Sequence, residues 1–149
     1  NGFVVLAGQP PNGCDNIPTI EIKDISNKTK GSKGSFKPDL VFASSNYLIL
    51  VECKPQDDVD DENKLLEVND NMSRQKLLFE EIKQRGIFKR RNLEPSFPDF
   101  NVTRKKLRYC LSHNGQARVM QNIMTLLIKS IKGEGVITNA IDNKFQINF

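Results

Sequence analysis

The stretch Lys37-Pro38-Asp39-Leu40-Val41-Phe42-Ala43-Ser44-Ser45-Asn46-Tyr47-Leu48-Ile49-Leu50-Val51-Glu52-Cys53-Lys54 decides how the chain is read. Residues 37–43 carry a strand pattern with proline near the start, where a missing N–H is tolerated. Ser44-Ser45-Asn46 is turn chemistry. The run that follows is apolar on both faces until it reaches Glu52, which marks a central strand covered above and below, and Pro55 ends it. Residues two apart in a strand share a face, so Glu52 and Lys54 project together on the side that Leu48 and Leu50 occupy lower down. A face that turns from leucine to glutamate and lysine puts charge where burial is costly without a partner or an ion. The short turn brings Asp39 within a few residues of the level of Glu52. Two carboxylates and an amine meeting at one sheet end are what a hard divalent cation, and a water to be deprotonated, require.

Working outward, Thr19-Ile20-Glu21-Ile22-Lys23 alternates with period two and predicts a half-buried strand. A loop from Ser26 to Ser35, carrying Lys28, Lys30, Lys33 and two glycines, leads into the decisive stretch. Residues 1–17 are rich in Gly, Pro and Asn and read as an arm or a short strand plus loop. Downstream, Leu65, Leu66, Val68, Met72, Leu77, Leu78, Phe79 and Ile82 recur at helical spacing and predict one helix over about 62–85, with Gly86 as its stop. Residues 87–104, with prolines and basic clusters, read as an irregular excursion. A strand is predicted over 106–112, a strongly apolar helix over 115–132, and two further strands over 135–141 and 144–149. The order βββ-α-β-α-β predicts an α/β domain with a mixed central sheet flanked by helices.

Composition narrows the function classes. The 149 residues carry 22 Lys+Arg against 18 Asp+Glu, with 38% hydrophobic residues, the profile of one ordinary globular domain over 1–149. A chain of that size can bury about 70% of its unfolded surface, so it needs no disulfide or structural metal to fold. Its longest apolar runs, 47–51 and 123–128, fall far short of the ~20 residues that cross a bilayer. Cys14, Cys53 and Cys110 show neither CxxC nor zinc spacing and are expected as free thiols in an intracellular, cytoplasmic setting. The start at Asn1 is compatible with a piece of a longer chain. Charge is segregated: residues 57–81 hold nine acidic and three basic residues, net −6, and residues 82–108 hold nine basic and two acidic, net +7. The basic tract is either a solvated surface or a phosphate-contacting one.

Pro38-Asp39, followed by Glu52-Cys53-Lys54 after an apolar run, resembles the PD-(D/E)XK nuclease superfamily, the fold of many restriction endonucleases. The matching span, 38–54, is short, and the surrounding order of elements agrees with the core of that superfamily. The resemblance implies a restriction-endonuclease-like core and a metal-dependent endonuclease that hydrolyses DNA phosphodiester bonds, of restriction, defence or repair type. It implies that Asp39 and Glu52 ligate Mg²⁺ or Mn²⁺, with the main-chain carbonyl of Cys53 as a third oxygen. It also implies that Lys54 holds the attacking water or stabilises the transition state. The superfamily often has an upstream acid on a helix before the first strand. No such helix is evident before Thr19: either the acid lies before Asn1 in a fuller chain, or Glu21 substitutes for it from the first strand, the other reading of Glu21 being a solvent-facing strand residue.

Secondary candidates follow. Gln75, beside Arg74 and Lys76, lies on the helix after the motif, where relatives of this kind place a Gln or basic residue facing the site. Lys28, Lys30, Lys33, Lys37 and Arg74 are candidates for nucleic-acid contact, with plain surface solubility as the alternative. His113, the only histidine, reads as a structural or solvated residue in the loop after the fourth strand. Two other functions stay open: an RNA endonuclease of the kind found in viral polymerases, and a catalytically idle nucleic-acid-binding module. DNA is the expected partner, with a homodimer or further domains of a larger chain as further expectations and no membrane.

Overall fold

A computed structural model describes residues 2–9, 17–23, 34–54, 59–113, 123–128 and 135–139. Six strands, β1 (Val4–Gly8), β2 (Leu40–Ala43), β3 (Leu48–Cys53), β4 (Leu107–His113), β5 (Met124–Ile128) and β6 (Gly135–Asn139), form one sheet in chain order. β1, β2 and β3 pair antiparallel, β3–β4 and β4–β5 pair parallel, and β5–β6 is antiparallel again. The parallel β3–β4 pair needs a crossover. It consists of α1 (Val59–Asp70), α2 (Met72–Gln84), α3 (Ile87–Arg90), a 3₁₀ turn (Glu94–Ser96) and α4 (Phe100–Lys106). The architecture is therefore mixed α/β, and β3 sits between β2 and β4 as its two-sided apolar run predicts.

The strand period sorts the core. Val41 and Ala43 of β2, Leu48 and Leu50 of β3, and Leu107, Tyr109 and Leu111 of β4 share one face. They pack with Leu65, Val68, Leu78, Phe79, Ile82, Ile87, Phe88 and Phe97 of the crossover. Ile49, Val51, Cys110 and Met124 lie on the other face, with Leu40, Phe42, Tyr47 and Cys53 beside them.

Several expectations are corrected. The helix predicted over 62–85 is two helices. Asn71 breaks it with an extended backbone (φ −111°, ψ 98°), and its side chain accepts the Arg74 N–H to cap α2. Gly86 does stop α2, in the left-handed region at φ 63°. The irregular excursion over 87–104 is substantially helical, because Ile87, Phe88 and Phe97 bury themselves and Asp99 caps α4 by accepting the Val102 N–H at 2.9 Å. The helix predicted over 115–132 contains β5 instead. Ile123 to Ile128 is apolar but for the buried Thr125, which suits a strand sandwiched between β4 and β6 as well as a buried helix, and pairing with two neighbours decides it. The predicted strand 19–23 makes a single bridge, Ile22 with Phe36, although Ile20 and Ile22 are buried as its alternation requires. His113 is the buried last residue of β4 rather than a loop residue. The strand predicted over 144–149 lies outside the described residues.

Candidate functional site

The antiparallel β2–β3 ladder pairs Leu40 with Val51. Continuing that register by one residue sets Asp39 opposite Glu52. Alternation puts both on the face of Val41, Leu48 and Leu50, and directly opposed residues have Cβ atoms ~4.5–5.5 Å apart. The Asp39 carboxylate also closes the ladder: its Oδ2 accepts the Cys53 N–H at 2.8 Å. In an extended strand the N–H and C=O of one residue point to the same side, so the Cys53 carbonyl faces the Asp39 strand as well. The next residue, Lys54, turns the other way and donates its N–H to Ser112 O at 2.8 Å. Its side chain returns by alternation to the face of Glu52.

Asp39 is held from behind. Its carbonyl accepts the Gln9 N–H at 2.8 Å. A Cβ on Gly8 would meet Asp39 O at 3.2 Å and Leu40 Cδ2 at 3.0 Å, so glycine lets β1 approach this closely.

Glu52 is 5% exposed and lines a cleft of about 240 Å³ with Ser35, Phe36, Lys37 and Lys64. Lys37, at the entry to β2, and Lys64, on α1, thus share a cleft wall with a carboxylate that the apolar part of the sheet could not stabilise alone. Cys53 presents its thiol on the opposite face. Burial first, then the charges of Asp39 and Glu52, push that thiol up to about 11, against a smaller lowering by the Ser112 hydroxyl. The thiol is therefore a poor nucleophile and a poor ligand, and the chemistry of this sheet end belongs to oxygen donors. Two carboxylates and a carbonyl form a donor set that fits a hard divalent cation. Among the described residues no group of three His, Cys, Asp or Glu side chains that could hold a metal ion converges.

The other sequence candidates fall elsewhere. Glu21 reaches Lys37 at 3.7 Å and lines a neighbouring cleft of about 570 Å³ with Lys23, Glu81 and Arg85. Lys37 is the residue common to both clefts. Gln75 does not face Glu52. Its amide donates to Val68 O, Asn69 O and Tyr109 Oη and accepts from Arg104 Nε, a buried clamp joining α1, α2, α4 and β4. Arg74 is turned inward, 8% exposed, and ion-paired with Glu67 at 2.8 Å, which removes the accessibility a phosphate contact needs. Lys28, Lys30 and Lys33 lie outside the described residues.

Lys64, not singled out in the sequence, and His113, read there as a structural or solvated loop residue, stand near this sheet end. Lys64 had a signal, being the sole Lys or Arg between Lys54 and Arg74. His113 had none, because its level depends on the parallel β3–β4 register, which pairs Cys53 with Ser112 and so sets His113 beside Lys54. Comparison with known protein families, characterised proteins and solved structures returns no match. No described helix is long and apolar enough to cross a membrane.

Proposed function

We propose that the chain is a metal-dependent endonuclease of PD-(D/E)XK type, with a restriction-endonuclease-like core, that hydrolyses DNA phosphodiester bonds. The observation that carries this reading is the meeting of Asp39 and Glu52 across adjacent strands on one face, with the Asp39 carboxylate on the Cys53 N–H. Lys54 follows on the same face. The succession of β1–β3, a helical crossover and β4 supports the core.

In this reading Asp39, Glu52 and the Cys53 carbonyl hold Mg²⁺ or Mn²⁺. When bound, the ion lowers the pKa of water and offsets charge growing on the phosphate. The chain's own residues do the rest. The Cys53 N–H fixes the plane of the Asp39 carboxylate. The apolar strand beneath Glu52 keeps its carboxylate at one height and excludes bulk water from below. Lys54 supplies an ammonium group that orients the attacking water and stabilises negative charge on a phosphoryl oxygen in the transition state.

Plasmid and oligonucleotide cleavage with Mg²⁺ or Mn²⁺ tests the reading. Cleavage is expected in wild type, with Asp39→Asn, Glu52→Gln and Lys54→Gln each lowering the rate about 10²–10³-fold, the typical effect of removing one transition-state contact. No cleavage of DNA by wild type, or undiminished cleavage by these variants, would overturn it. Single-stranded RNA is the parallel substrate, and RNA cut in preference to DNA would reassign the substrate.

A further inference from the structure

The reading above assigns no role to two lysines that line the Glu52 cleft. Lys37 and Lys64 border it from different elements, one at the entry to β2 and one on α1, with Glu52 between them on its wall. We propose that they form a clamp on the phosphate backbone of the bound strand, and that Lys64 is a substrate-binding residue. This inference rests on the phosphodiesterase reading of the same cleft.

Charge balance supports it. Asp39 and Glu52 bring two negative charges and a phosphodiester brings a third. A divalent cation and Lys54 offset them, and Lys37 and Lys64 place two more cationic side chains on the cleft wall, which favours the phosphates on either side of the one being cut. The Lys37 pairing with Glu21 is long, 3.7 Å, between side chains 39% and 30% exposed. A pair that open to solvent is weak, so an arriving phosphate can take over the ammonium group. Lys64 carries its charge on a four-carbon stem from an exposed helix position. That suits a point contact to a phosphate oxygen that makes no demand on base identity.

The competing explanation is that Lys64 only neutralises Glu52. The two separate in a background where Glu52 is uncharged. Binding of labelled DNA duplexes of several lengths to the whole chain is measured without divalent ions in the Glu52→Gln protein, across a salt series. With the clamp, adding Lys64→Gln weakens binding several-fold at low salt and reduces the slope of log affinity against log salt by about 0.9, the value for one lost phosphate contact on duplex DNA. Lys64→Arg keeps the slope, and its folding is checked by circular dichroism. Affinity rises with oligonucleotide length and is not matched by inorganic phosphate. The clamp is overturned if Lys64→Gln binds with the parent's affinity and slope, or if affinity is independent of length and equalled by inorganic phosphate. The two proposals fail separately. Lys64-dependent binding in a protein that cuts nothing keeps the clamp and removes the nuclease, whereas cleavage with Lys64-independent binding does the reverse.

Discussion

Asp39 performs two tasks with one side chain. Its Oδ2 takes the Cys53 N–H, extending the β2–β3 ladder past its last backbone pair, and its level opposite Glu52 makes the sheet end acidic. The consequence is written on Cys53. Its thiol feels burial and both carboxylates, and its pKa rises from 9.0 to about 11. Because the folded state then keeps the proton to a higher pH than the unfolded chain, the contribution to stability is whole below about pH 9 and is lost as pH rises toward 11. Thermal melts from pH 8 upward should therefore fall more steeply in wild type than in Cys53→Ala, and equal slopes would contradict the assignment. A decline shared by both proteins is expected to set in from about pH 10, within that range, from Tyr109, whose phenol is also raised from its ordinary 10.0, chiefly by burial. Native Cys53 should react slowly with iodoacetamide at pH 8, and quickly once the chain is unfolded.

At the scale of elements, short polar residues decide where helices begin. Asn69-Asp70-Asn71 interrupts an otherwise continuous helical pattern because such side chains bond to nearby backbone in non-helical geometry. Asn71 accepts the Arg74 N–H at 3.1 Å with its side chain and the Gln75 N–H with its carbonyl, so it also anchors the residue that clamps Tyr109. Asn71→Ala should cost about 1 kcal/mol in urea unfolding, the usual loss on removing an N-cap, and Asn71→Asp should retain most of it. A loss below a few tenths would show that α2 does not depend on this cap. β5 illustrates the opposite situation. Met124–Ile128 contains no cap, turn or alternation to separate helix from strand, and only the free edge of β4 on one side and β6 on the other make the extended form the one with its backbone bonds satisfied.

Across the whole molecule, the basic tract and the acidic site occupy opposite ends of the parallel strands. Leu107 and Arg108 pair with Leu48 and Ile49 at the start of β3, whereas Glu52 stands near its finish, a separation of ~10–13 Å at ~3.3 Å per residue. Much of that basic charge is committed internally. Lys106 Nζ donates to Ser45 O at 2.7 Å and Ser96 O at 2.8 Å, stitching the β2–β3 turn to the crossover, and Arg108 donates to Lys105 O and Leu107 O. Lys106→Ala should lower stability by about 1–2 kcal/mol through these charge-assisted bonds while leaving DNA affinity within twofold. A large loss of affinity without a change in stability would move the phosphate-binding surface to this end. By itself the sequence determined the α/β class, the central position of β3 and the residue types gathered in 38–54, because strand alternation and apolar runs are local properties of the chain. Only the tertiary structure decided the two-helix break, the strand state of β5, the inward turn of Gln75 and Arg74, and the presence of Lys64 beside Glu52. Each of those depends on which distant groups satisfy a backbone bond or share a cleft, and no local pattern encodes that.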